Sequence, residues 1–87
     1  MSHILIIEQN VVIGSEFSKR LCDLGFDSFD HVLTGKDAVV IAKMRPPDLV
    51  LIGDSPESGD VLGAARQICE TYDTPVLIVA ASQAKRP

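Results

Sequence analysis

The sequence predicts a doubly wound parallel α/β domain, on the strength of three short apolar runs and the amphipathic stretches that separate them. The runs are Ile4-Leu5-Ile6-Ile7, Leu49-Val50-Leu51-Ile52 and Val76-Leu77-Ile78-Val79-Ala80-Ala81. Each is continuous rather than alternating, as strands buried on both faces are, and such strands belong to parallel sheets. Between them apolar residues recur every three or four positions, which is the period of a helix with one buried face. With 87 residues, 46% of them hydrophobic, the chain suits one domain, residues 1–87, built around one core.

The first run ends in polar Glu8-Gln9-Asn10. Ile13, Phe17, Leu21 and Leu24 then mark a helix with Glu16, Lys19, Arg20 and Asp23 on its wet side, and Gly25 supplies its stop. The stretch from Phe26 to Leu33 mixes Phe29, Val32 and Leu33 with Asp27, Asp30 and His31, the pattern of a weaker strand near a sheet edge. Thr34, three residues before Asp37, caps a second helix whose stripe is Ala38, Ile41 and Ala42; it reaches Met44, and Pro46-Pro47 end it. After the second buried run comes a polar loop, Gly53-Asp54-Ser55-Pro56-Glu57-Ser58-Gly59. Leu62, Ala65, Ile68, Cys69 and Tyr72 mark a third helix, broken by Asp73-Thr74-Pro75 before the last run, and Ser82 to Pro87 is a polar tail. The order β-α-β-α-β-α-β, with right-handed crossovers, places helices on both faces of the sheet.

A net charge of −4 opposes attraction to phosphate backbones and anionic lipid, so neither nucleic acid nor membrane is an expected partner. The apolar start, Ile4 to Ile7, is too short for a signal peptide or a membrane span, and a cytoplasmic location is expected. Cys22 and Cys69 have no metal-ligand or redox spacing and are expected to be buried free thiols inside helices. His3 is expected to be a terminal residue and His31 a surface one. Gly35-Lys36-Asp37 lacks the Ser or Thr of a phosphate-binding loop, and no nucleophile elbow is present. The expectation is a protein that is not an enzyme.

In doubly wound sheets ligands bind outside the carboxyl ends of the strands. That rule selects Glu8 and Gln9 after the first strand, Gly53 and Asp54 after the third, and Ala80, Ala81 and Ser82 after the fourth. Glu8 and Asp54 together offer oxygen ligands of the kind Mg2+ takes, and an aspartate beside that cation can accept a phosphoryl group.

Four segments, ILIIEQN, PPDLVLIGD, SGDVLGAARQI and TPVLIVAAS, resemble in order and separation the corresponding stretches of response-regulator receiver domains. The resemblance runs from Ile4 to Ser82. It implies a flavodoxin-like fold, an acidic pair after the first strand, and a phosphorylated aspartate six residues after Pro47. Glu8 fills the first acidic position, and this chain departs from the family at the others. Gln9 replaces the second acid, the phosphoacceptor position falls on Gly53, and Asp54 is the remaining phosphoacceptor candidate, one residue along. A one-residue step on a strand turns a side chain to the other face, so Asp54 serves only if the Gly53 hinge re-aims it. Ala80 stands where the family has Ser or Thr, with Ser82 on the same face two residues on.

The resemblance further implies a helix, a lysine-bearing strand and a helix that do not follow within 87 residues. Without them the strand Val76 to Ala81 is an exposed apolar edge and one side of the first helix is bare. The expectation is a fragment of a longer protein, in preference to a domain that pairs with a copy of itself. The implied function is a receiver-like module of phosphorelay signalling that contacts a sensor histidine kinase, a partner signalling domain or a second copy, with weak or no phosphorylation and at most weakly bound Mg2+. The alternatives are a flavodoxin-like domain that binds a small molecule in the strand-end crevice, and an assembly fragment that pairs through its edge.

Overall fold

β1 (Ile4–Ile7) has all four side chains buried, as a continuous apolar run requires when helices cover both of its faces. A computed structural model describes residues 2–53 and 59–79. In it β1 pairs in parallel with β2 (Phe29–Val32) on one side and β3 (Leu49–Gly53) on the other, and β3 pairs with β4 (Val76–Val79), giving the sheet order β2-β1-β3-β4. Alternation along the strands divides the core in two. Ile4, Ile6 and Leu51 pack with Phe17 and Leu21 of α1 (Val11–Asp23) on one face. On the other, Leu5, Ile7, Val50 and Ile52 pack with Ala38 and Ala42 of α2 (Gly35–Met44) and with Val61, Ala65 and Ile68 of α3 (Gly59–Tyr72). This is the doubly wound parallel arrangement the sequence predicts.

The helix ends follow local chemistry. At α1 the side chain of Asn10 accepts from the backbone N–H groups of Val12 and Ile13 at 2.9 and 3.1 Å. Its far end closes with Gly25 at φ 98°, where Gly25 N–H donates to Cys22 O and Phe26 N–H to Leu21 O, both at 3.0 Å. That pair of bonds is the Schellman closure, and the left-handed residue in it is normally glycine. Thr34 caps α2 as expected, its Oγ1 accepting from Asp37 N–H at 3.1 Å. α3 ends through Asp73 at φ 55°, an uncommon conformation for a residue with a side chain.

Several sequence expectations are corrected. Leu24 is 74% exposed because it is the cap residue, beyond the last turn of α1. Leu62 is exposed and Val61 buried: the stripe of α3 lies one residue earlier than the reading from Leu62, on Val61, Ala65, Ile68 and Tyr72. Cys22 is exposed and Cys69 half-buried, both free, and they sit on helices that cover opposite faces of the sheet. Gly53 is the last residue of β3 rather than the first of the loop. The run read as the last buried strand is an edge strand: Leu77 and Ile78 are 52% and 54% exposed, as expected for this run if no further element covers it. The other edge is β2, whose four residues are all half-buried.

His3 is no loose terminal residue. It is buried at the amino end of β1, where its Nε2–H donates to Asp30 Oδ2 at 2.8 Å and its Nδ1 lies 2.8 Å from Ser28 Oγ. The Arg45 guanidinium donates to that same Oγ at 2.8 Å. The backbone joins in: His3 N–H donates to Asp48 Oδ2 and Asp48 N–H to His3 O, both at 2.7 Å. Nearby, Thr74 is buried and its Oγ1 donates to Pro47 O at 3.1 Å. The amino end of the sheet is thus tied from β1 to the segments entering β2, β3 and β4.

Candidate functional site at the carboxyl ends of the strands

Glu8 follows β1 directly, and the register Ile7 to Ile52 sets it beside Gly53 at the end of β3. Its N–H continues the ladder to Val32 O at 3.0 Å. Side-chain alternation puts Glu8 on the face of Ile4 and Ile6, toward α1. It is only 6% exposed, where acidic residues are usually solvated. A buried carboxylate is costly without donors. Here Oε2 accepts from Asn10 N–H at 2.8 Å, at the N-terminus of α1, where the helix dipole also favours negative charge.

Two glycines leave room for this arrangement. A Cβ added at Gly53 would fall on Glu8 Oε1 and lie 3.1 Å from Glu8 Cδ, with Phe17 Cε2 at 3.7 Å beneath. A Cβ added at Gly14 would fall within the ring of His31. The His31 ring therefore lies flush on α1, half-buried rather than at the surface. Its Nε2 is 2.9 Å from Glu8 O, and since a carbonyl only accepts, the proton is on Nε2. The turn from β1 into α1 is accordingly held by Asn10, by His31 from β2 and by the Glu8 side chain.

Of the residues singled out in the sequence, the structure brings Glu8 and Gly53 together. Gln9 is exposed beside them. Asp54, the phosphoacceptor candidate, and Ala80 and Ser82 of the crevice lie outside the described residues, as does Ala81. Sequence reasoning missed Asn10 and His31. Asn10 had a readable signal, an Asn just ahead of an apolar-periodic stretch. His31 had none, because its partners Glu8 and Gly14 are remote in sequence. As a Mg2+ site the described residues do not suffice: they contribute the Glu8 carboxylate, already bonded to Asn10, and no side chain at 53. No group of three or more His, Cys, Asp or Glu side chains gathers among the described residues.

Sheet order and layering define a flavodoxin-like α/β module, and the solved structures it resembles share that fold. It is similar to MaeR, a response regulator bound to beryllium trifluoride, with a TM-score of 0.78 and 24% identity over 93% of this chain and 68% of that one. It is also similar to the anti-anti-sigma factor PhyR of Bartonella quintana, with a TM-score of 0.76 and 22% identity over 99% of this chain and 38% of that one. In sequence it is 26% identical over 78 residues to the transcriptional regulatory protein PdtaR of Mycobacterium tuberculosis, a match covering 90% of this chain and 38% of PdtaR. The chain thus spans less than two fifths of that relative's length. No protein-family model matches it.

Proposed function

We propose that the chain is a receiver-like regulatory module of phosphorelay signalling that works through protein contacts, with weak or no phosphorylation. The observation that carries this reading is the pairing of Glu8 with Gly53. The fold resembles that of response regulators, yet the end of β3 presents a glycine with the Glu8 carboxylate lying over it. A phosphoryl group and its cation need room and several oxygen ligands, and Glu8 already uses its oxygens inward. Asp54 remains the phosphoacceptor candidate and, with Glu8, the candidate Mg2+ ligand. The reading assigns no turnover to the domain. Its partners are a sensor histidine kinase, another signalling domain or a second copy, in the cytoplasm. The charge of −4 favours proteins over nucleic acid.

Incubation with Mg2+ and acetyl phosphate, followed by intact mass, tests the proposal. Little or no gain of one phosphate is expected. A stoichiometric gain that disappears in Asp54→Asn would show an active acceptor and overturn the claim of weak phosphorylation.

A further inference from the structure

Glu8 is buried, sits at the carboxyl end of the sheet where ligands of this fold class bind, and points its carboxylate at the volume a side chain on Gly53 would fill. Its other oxygen holds the N–H of Asn10, the residue whose side chain starts α1. One side chain therefore spans from the end of β3 to the first turn of α1. A small crevice closed in this way is held in one state by the protein's own carboxylate. We propose that Glu8 is the resident occupant of the strand-end site and that it keeps the β1-to-α1 turn in a fixed arrangement without an added group. The inference rests on the receiver-like reading and deepens it: the place an added group would take at this end is held by the chain's own carboxylate.

The glycine at 53 is then a matched half of the pair. A side chain there must displace Glu8 Oε1, and on the proposal the bond from Asn10 N–H to Oε2 is lost with it. Among the described residues His31 is the other titratable group at this turn, and it bonds the Glu8 backbone, not the carboxylate, so the backbone hold on the turn survives when the side chain moves.

The test compares the wild-type chain with Gly53→Ala, Glu8→Ala and the double variant, by thermal unfolding and by the amide resonance of Asn10. Gly53→Ala is expected to lower Tm by about 5 °C, the shift that accompanies the loss of roughly one good hydrogen bond in a domain of this size. The double variant is expected to be no less stable than Glu8→Ala, because the new methyl group enters the space the carboxylate has left. The Asn10 amide should shift in Gly53→Ala as far as in Glu8→Ala. Additive losses of Tm, or an Asn10 amide that stays in place in Gly53→Ala, would overturn the proposal. Should Gly53→Ala fail to fold, recovery of folding in the double variant supports it and continued failure overturns it. Neither readout involves phosphate or a partner. Glu8 can therefore fail as the occupant while the receiver-like reading stands, and an active phosphoacceptor can appear while the coupling of Glu8 to Gly53 holds.

Discussion

The two ends of the sheet bury polar groups in opposite ways. At the amino end, side chains satisfy side chains: His3 lies between Asp30 and Ser28, Arg45 reaches Ser28, and Asp48 bonds the His3 backbone. At the carboxyl end a buried carboxylate meets backbone, with Asn10 N–H as a donor and the bare Cα of Gly53 beside it. Complementary side chains make a joint that favours one state. A charge facing glycine and a helix start leaves a joint that a modest change of side chain can shift. Ligand-binding edges are drawn from the second kind, since a site that responds must be less firmly held than the scaffold around it.

The largest expected effect calibrates both ends. Ile6 is fully buried in mid-strand, paired with His31 on one side and Leu51 on the other. Ile6→Ala should cost about 2–5 kcal/mol, the usual range for emptying a core site, and chemical denaturation would measure it. Next comes the amino-end joint. His3→Ala removes the donor to Asp30 and the partner of Ser28, and should cost about 2 kcal/mol by the same measurement. A loss below about 0.5 kcal/mol, within the usual scatter of surface substitutions, would erase the contrast between the ends. At the carboxyl end, Asn10→Ala uncaps α1 and should cost about 1 kcal/mol. It should also raise amide exchange in the first turn while leaving β1 protected, which hydrogen exchange would show. The smallest effect is a gain. Asp73→Gly relieves the left-handed residue at the end of α3 and should add about 0.5 kcal/mol, read as a small rise in Tm, provided Thr74 keeps its bond to Pro47.

The layers were legible from the sequence because they depend on local pattern. Ile4 to Ile7 reads as a strand covered on both faces, and it is one; Thr34 reads as a cap, and Gly25 as a stop, and both act so. The misreadings arose where neighbours decide. Leu62 and Val61 are adjacent and equally apolar, and only the position of α2 and the sheet chooses Val61 for the core. Val76 to Val79 has the composition of a buried strand, yet Leu77 and Ile78 are exposed at an edge, as the sequence predicts for this strand when no further element covers it. His3 looked terminal since nothing in its sequence neighbourhood hints at Asp30, Ser28 or Asp48.

The site divides along the same line. Glu8 and Gly53 were identified from the strand-end rule, Glu8 also by its match to the receiver pattern and Gly53 by its departure from it, and both are facts of sequence. That the two make a pair is not. Hydrophobic period and residue type determined which segments are strands and helices and which residues stand at their ends, because those are properties of a few consecutive positions. Only the tertiary structure turned the Glu8 carboxylate inward and laid His31 on Gly14, since each depends on groups brought together from distant parts of the chain by parallel pairing and helix packing.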